Sequence, residues 1–177
     1  MNEKKYNYPN YYKFPPFFTL QPVMKSRAKQ IELWLSMLLD YSNQTKTFTL
    51  SYSSDIFHNK VIARDASTEL MDVIFHTLVE RNLAEFTEGD KKSISYSWKT
   101  PLEWSKVLHS WAVTNSHVDV ILTCFELTHD ELYEGEEFFQ LPDALLLKAL
   151  RILEKSKKAT LLTGSVIAEY GVKFLSE

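Results

Sequence analysis

The chain has 177 residues, 45% of them hydrophobic and only 4 of them glycine, which is typical of one ordinary domain or two small ones and excludes a low-complexity chain. One cysteine, Cys124, excludes a disulfide within the chain and a zinc site built from cysteine pairs, so we expect a reducing compartment. The sequence contains no signal-peptide pattern and no stretch that approaches a membrane span, which predicts a soluble intracellular protein.

The formal net charge of −3 is unevenly distributed along the sequence. Residues 1–30 contain six lysines and arginines and one acid, Glu3, a net +5 that leaves about −8 for the rest of the chain. Because an acidic surface repels phosphates, this distribution disfavours nucleic-acid binding by the body of the protein.

Three phenylalanines surround a proline pair near the start of the sequence. Residues 12–22 read Y-K-F-P-P-F-F-T-L-Q-P, in which Pro15 and Pro16 exclude an α-helix and favour polyproline II backbone. Exposed to water, the rings of Phe14, Phe17 and Phe18 would form an apolar, aggregation-prone tail, so we expect a groove to bury them. Two hypotheses remain at this point: a groove on a partner, or a groove on the chain's own first domain.

Apolar residues recur at spacings of three and four in four segments, which predicts four helices. The predicted helices begin near Met24, after Ser67 or Thr68, at Pro101 and near Pro142. The third has the clearest start, because Thr100 and Glu103 form a T-x-x-E capping box around Pro101.

Shorter alternating segments between these helices predict strands. They are residues 48–52, 94–98, 121–127, 159–162 and 172–174. Trp98 is predicted on the second of these strands and Cys124 is predicted as a core residue within the third. The tripeptide at residues 88–90, Glu-Gly-Asp, supplies a hairpin turn before the second strand.

The order helix, strand, helix, hairpin occurs twice, at an offset of about 75 residues. This order predicts a mostly α fold with small β wings (α+β), arranged as two tandem winged-helix domains. We predict an N-terminal docking segment at residues 1–23, a first domain at residues 24–99 and a second at residues 100–177. The short join predicts a fairly rigid pair.

No pattern indicates catalysis, a metal site or a cofactor. The five histidines form no zinc-binding spacing, no glycine-rich phosphate loop occurs, and the acidic residues 130–137 lack the spacing of a calcium loop. Winged helices often bind DNA through the helix before the hairpin, but Glu69, Asp72 and Glu80 lie on that helix in the first domain. A nucleic-acid-binding or transcription-associated protein is therefore the second hypothesis, behind a protein-interaction module.

Several motifs resemble the small subunits of ESCRT-II, an endosomal sorting complex. They are Y-K-F-P-P-F-F-T-L-Q-P followed by Arg27, Lys29, Gln30 and Trp34; P-x-E-W at 101–104; F-E-L-T at 125–128; E-E-F-x-x-L at 136–141; L-L-x-A-L at 146–150; and G-V-K-F at 171–174. The resemblance covers nearly the whole chain, and the loop between Ser51 and Arg64 is its least similar part.

The resemblance implies a non-catalytic scaffold that sorts ubiquitinated cargo into multivesicular bodies. In this family, two small subunits attach to one copy each of two larger ones, vacuolar protein sorting-associated proteins 22 and 36. The second winged helix recruits an ESCRT-III subunit, protein 20. The resemblance places the protein in the cytoplasm, recruited to the endosomal membrane with only indirect lipid contact, and it leaves self-association open.

The resemblance also implies which residues dock on the larger subunits. The docking residues are Phe14, Pro15, Pro16, Phe17, Phe18 and Leu20. A second docking motif is implied upstream at Pro9, Tyr11 and Tyr12, where the double proline of the family is missing.

Overall fold

The computed structural model describes residues 5–176. Glu3 and Lys4 of the basic N-terminal stretch, and the last residue of the predicted second domain, lie outside this range. The chain divides into two compact units, Met1–Trp98 and Lys99–Glu177. Along the described part of the chain, no helix combines the length and the apolar character that crossing a membrane requires.

The first unit is a winged helix preceded by two short 3-10 turns. Its elements are the turns Asn10–Lys13 and Pro15–Phe18, helix α1 (Met24–Thr45), strand β1 (Thr49–Ser51), a turn at Asp55–Phe57, strands β2 (His58–Asn59) and β3 (Arg64–Asp65), helix α2 (Thr68–Glu80), and strands β4 (Ala84–Thr87) and β5 (Asp90–Tyr96). The antiparallel sheet has the order β1-β5-β4, with Leu50 opposite Ile94. The β4–β5 hairpin turns at Gly89, whose φ of 76° suits glycine.

The second unit repeats this plan with one more helix. Its elements are helix α3 (Pro101–Thr114), strand β6 (Ile121–Thr123), helix α4 (Cys124–His129), a 3-10 turn at Glu131–Tyr133, helix α5 (Asp143–Lys155), strand β7 (Ala159–Leu162), a turn at Ile167–Glu169 and strand β8 (Gly171–Phe174). The antiparallel sheet has the order β6-β8-β7. Buried Trp104, Leu108, Leu146 and Phe174 belong to its core.

The helix starts and the internal repeat are confirmed. The Ser67 side chain accepts a hydrogen bond from the N–H of Leu70, and Thr100 and Glu103 form the predicted capping box. The two helices that precede the hairpins, α2 and α5, begin and end 75 residues apart, and so do β4 and β7. The predicted α+β winged-helix fold is therefore correct.

Two details of the strand prediction are wrong. Residues 121–127 do not form one strand, because β6 ends at Thr123 and α4 begins at Cys124. There, Thr123 and Glu126 form a second capping box, in which the Glu126 side chain accepts a hydrogen bond from the N–H of Thr123 at 2.6 Å. Trp98 lies beyond the end of β5, with the Lys46 ammonium 4.7 Å from its ring centroid.

Candidate functional site

The N-terminal segment, which we define as residues 5–23, packs first on the rest of the first unit through tyrosines. The Tyr6 hydroxyl donates a hydrogen bond to the Asp40 carboxylate at 2.8 Å, and the Tyr12 hydroxyl donates to the carbonyl of Ile56 at 2.9 Å. The Asn59 side-chain amide donates to the carbonyl of Tyr12 at 2.7 Å. Burial raises the pKa of Tyr6 and Tyr12, and the Asp40 hydrogen bond raises that of Tyr6 further.

The second turn, Pro15–Phe18, corrects the predicted backbone. The N–H of Phe17 donates to the carbonyl of Phe14 at 3.0 Å, and the N–H of Thr19 donates to that of Pro16 at 3.3 Å. These bonds define a 3-10 turn, so the prediction of polyproline II is wrong for these residues. The φ that proline imposes fits both conformations, and burial of the two rings that follow selects the turn.

The structure buries two of the three phenylalanines within the first unit. Phe17 is 5% exposed, and its ring stacks on the Trp34 indole with centroids 4.5 Å apart. Phe18 is fully buried and packs edge-on against the same indole at 5.6 Å. Both rings therefore pack on the chain's own first unit, and their docking on a partner stays a prediction. Neither ring is available at the surface for a partner.

The exposed part of the predicted docking set is smaller. The Phe14 side chain is 60% exposed and Pro15 and Pro16 are exposed, whereas Leu20 is half-buried. We call Phe14, Pro15 and Pro16 the exposed Pro–aromatic edge. They are the part of the predicted docking set that a partner can contact without displacing a buried ring.

The upstream set, Pro9, Tyr11 and Tyr12, is mostly covered. Tyr12 is buried, and its ring stacks on that of Tyr8 with centroids 4.1 Å apart. Tyr11 is half-buried, and its hydroxyl donates to the carbonyl of Leu33 at 3.3 Å. Pro9 is also half-buried. Tyr11 fastens the segment to α1 and Tyr12 fastens it to the turn at Asp55–Phe57, so these residues offer little exposed surface.

Gln30, on α1, is a buried polar residue whose role the residue pattern did not reveal. Its side-chain NH₂ donates to the carbonyls of Phe17 at 3.0 Å and Thr19 at 2.8 Å, and its side-chain oxygen accepts from the N–H of Gln21 at 3.1 Å. The indole N–H of Trp34 also donates to the carbonyl of Phe17, at 2.9 Å. The signal in the sequence was an amide on the apolar face of a helix, one turn before a tryptophan.

In the second unit, the cysteine and several acidic residues have structural surroundings. Cys124 is buried, and burial, followed by the charge of Asp143, raises the pKa of its thiol to about 11, which opposes formation of a nucleophilic thiolate. Within residues 5–176, no group of three metal-ligating side chains comes together. Of the acidic residues 130–137, Asp130 caps the turn after α4 and Glu137 pairs with Lys99.

Exposed apolar side chains are frequent in the second unit. They are Leu102, Val113, Val120, Ile121, Phe125, Leu132, Leu162 and Val166. Phe125 projects from α4 and stacks on His129 with centroids 4.9 Å apart. Exposed apolar groups of this kind are common where proteins bind other proteins.

Comparison with known proteins shows which family the chain resembles. A family model described as ESCRT-II complex subunit matches residues 11–142. The chain is 36% identical over 173 residues to vacuolar protein-sorting-associated protein 25 (VPS25) of Xenopus laevis, with 96% of this chain and 98% of that protein covered. It is 33% identical to the VPS25 of Homo sapiens, with 96% and 97% covered.

Solved structures show the same fold. A crystal structure of VPS25 from the endosomal trafficking complex ESCRT-II matches with a TM-score of 0.83 at 22% identity, covering 94% of this chain and 98% of that one. A chain from the crystal structure of the endosomal complex ESCRT-II (VPS22/VPS25/VPS36) matches with a TM-score of 0.80 at the same identity and coverage. The resemblance seen in the motifs is confirmed, and the chain belongs to the family of ESCRT-II complex subunits.

Proposed function

We propose that this chain is a non-catalytic scaffold subunit of an ESCRT-II complex and acts through protein contacts in multivesicular-body sorting of ubiquitinated cargo. Its membership of the ESCRT-II subunit family and its 36% sequence identity to the VPS25 of Xenopus laevis over 96% of the chain support this role. The chain works in the cytoplasm and reaches the endosomal membrane through its partners. The observation that carries the proposal is the exposed Pro–aromatic edge on an otherwise well-packed unit.

The exposed Pro–aromatic edge docks on the larger subunits, VPS22 and VPS36. Burying an exposed phenylalanine ring is favourable by roughly 1.5–3 kcal/mol. Ordering a flexible tail would cost about 1–2 kcal/mol per residue, but here the turn is already folded, so that cost does not oppose docking. Phe17 and Phe18 contribute as buried anchors of the turn. Leu20 is the half-buried residue that docking covers further.

The second unit recruits an ESCRT-III subunit, protein 20 of the vacuolar sorting set. The exposed apolar residues Ile121, Phe125 and Leu132, close in sequence to the acidic residues 130–137, support an interaction surface here. Apolar contact area combined with charge would provide both affinity and a preferred partner.

The test of docking is co-purification of the chain with VPS22 and VPS36, with each assembly weighed by light scattering. We expect wild type to enter a complex containing all three proteins and a Phe14→Ala/Pro15→Ala variant to stay apart while still folded. The matched control is Phe125→Ala, which removes an exposed ring from the second unit. Equal entry of wild type and the double variant would overturn the docking surface, and no complex with wild type would overturn the scaffold role.

Nucleic-acid binding is the second candidate function, and one observation favours it. Arg151 and Lys155 lie four residues apart on the exposed side of α5, opposite the buried Leu146 and Leu153. In a winged helix, this is the helix before the hairpin, the one that enters a DNA groove. The wing between β7 and β8, residues 163–170, contains no lysine or arginine to hold a phosphate backbone, which favours the scaffold role.

A further inference from the structure

The chain that leads from the turn Pro15–Phe18 into α1 is held mainly by side chains. After Phe18 and before α1, residues 19–23 form no helix or strand, so their backbone groups need partners from elsewhere. The Gln30 amide supplies three hydrogen bonds, to the carbonyls of Phe17 and Thr19 and from the N–H of Gln21.

Neighbouring side chains complete this network. The Gln21 side-chain NH₂ donates to the carbonyl of Pro16 at 2.8 Å and to that of Thr19 at 2.9 Å. The Arg27 guanidinium donates to the carbonyl of Gln21 at 2.8 Å. Gln30 differs from both because it is buried, and like Gln21 it contacts residues on either side of Phe18. It therefore connects the anchored rings to the chain that leads into α1.

A buried glutamine at this position is unfavourable unless its three hydrogen bonds compensate for the burial of the amide. Burying a side-chain amide without partners carries a desolvation penalty, whereas an apolar side chain of similar length would fill the same space without that penalty. Here the amide uses both its donor and its acceptor ends, and every partner is a backbone group of residues 17–21. The geometry gives Gln30 one evident task, which is to fix the conformation of the turn.

We infer that Gln30 is the positioning residue that presents the exposed Pro–aromatic edge to the larger ESCRT-II subunits. This inference rests on the docking proposed above and adds that the edge binds as a preformed turn, not as a flexible tail. Because the carbonyls of Phe17 and Thr19 are fixed to α1, the position of Pro15 and Pro16 immediately before them is fixed as well. Loss of the amide would leave the rings buried and the Trp34 bond to the Phe17 carbonyl in place, but it would remove the bonds from Gln30 to Thr19 and Gln21.

The first measurement is hydrogen exchange on the free full-length chain. In the Gln30→Met variant, which keeps the length of the side chain and removes its amide, we expect the Gln21 N–H to exchange at least about tenfold faster. The buried core of α1 around Leu38 should keep its protection. The matched control is Gln44→Met on the same helix, where the glutamine amide donates to Asp40 and does not contact the turn. Unchanged protection of Gln21 in Gln30→Met would overturn the inference.

The second measurement is the affinity of each variant for purified VPS22. We expect Gln30→Met to weaken binding about tenfold or more and Gln44→Met to leave it unchanged. In a Phe14→Ala background, the same Gln30→Met change should cost much less, because a residue that acts by positioning the edge is coupled to it. A full, additive loss in that background, or wild-type affinity in Gln30→Met, would overturn the positioning role.

The two measurements separate this inference from the proposed docking. If VPS22 and VPS36 do not bind wild type, both the docking proposal and the inference about Gln30 fail, whatever the exchange data show. If wild type binds and Gln30→Met binds equally well, only the inference fails. Should Gln30→Met misfold, Gln30→Asn takes its place, because it keeps a neutral amide but shortens the side chain by one methylene, so that the amide no longer reaches all three backbone groups.

Discussion

Phe18 and Phe14 lie four residues apart in one sequence motif, and the structure gives them opposite environments. Phe18 is fully buried against Trp34, whereas Phe14 lies mostly in solvent. We expect Phe18→Ala to lower the free energy of unfolding of the first unit by about 3–5 kcal/mol, because it leaves a cavity the size of a ring. Phe14→Ala, its matched control, should change that free energy by less than about 0.5 kcal/mol. Urea denaturation followed by near-ultraviolet circular dichroism measures both, and equal losses would contradict the burial described here.

Individual residues also show where sequence reasoning stops. The sequence correctly indicated that the rings of the motif need burial, because three phenylalanines around two prolines are too apolar for a free tail. It could not decide which ring faces the core, since the fixed φ of proline is compatible with two backbone conformations. It missed the task of Gln30 because that role depends on carbonyls brought near it only by the folded turn.

The N-terminal segment, considered as one element, is fastened by tyrosines and should therefore respond to alkaline pH. Burial raises the pKa of four of them above the ordinary value of 10.0; they are Tyr6, Tyr8, Tyr11 and Tyr12. Above pH 10, the unfolded chain loses phenolic protons that the folded chain retains, so the free energy of unfolding falls as pH rises. At neutral pH, well below 10, these groups are neutral in both states and add no pH dependence.

The test is the melting temperature of the chain at pH 8 and at about pH 10.5, where we expect a clear fall. A Tyr8→Phe variant should show a smaller fall, because one ionising group is removed from the unfolded chain while the stacked ring remains. A melting temperature of wild type that stays constant over this range would show that these tyrosines titrate freely in the folded protein.

Helix α4 is the element that the sequence pattern missed, and its start is testable. Thr123→Ala removes the hydroxyl that accepts from the N–H of Glu126, so we expect the second unit to lose about 1 kcal/mol of unfolding free energy. Thr100→Ala, in the matching capping box of α3, should cost a similar amount. Thr114→Ala, an exposed position at the end of α3, is the control with little expected change. Chemical denaturation of the full chain measures the three variants, and no loss in Thr123→Ala would contradict the capping role.

The four longer helices were predictable because each shows several turns of apolar periodicity, and α2 and α3 add a capping residue at their start. The segment 121–127 was not, because seven largely apolar residues fit a strand and a short helix equally well. The T-C-F-E capping box lies inside that run, where the alternation of a strand conceals it. The start and end of a short element thus depend on local hydrogen bonds, about which apolar periodicity gives no information.

At the scale of the whole molecule, charge decides between the two candidate functions. The basic residues are concentrated in the first 30 positions, and the remaining chain carries about −8. On α2, the exposed acids Glu69, Asp72 and Glu80 occupy the helix that would face DNA in the first unit. In the second unit, the helix before the hairpin is α5, and it exposes the basic residues Arg151 and Lys155. A single short basic helix makes few phosphate contacts, and affinity for DNA depends on the number of such contacts.

We therefore expect the full chain to pass through a duplex-DNA column at about 50 mM salt without retention. An Arg151→Glu/Lys155→Glu variant should elute with wild type, because the two cations are not holding DNA. The same variant should still co-purify with VPS22 and VPS36, since the exposed Pro–aromatic edge is unchanged. Retention of wild type that is lost in the double variant would assign α5 a nucleic-acid-binding role and make the second candidate function the better account of this unit. Retention that persists in the double variant would instead point to the basic N-terminal stretch, because residues 1–30 are the other part of the chain with a positive net charge.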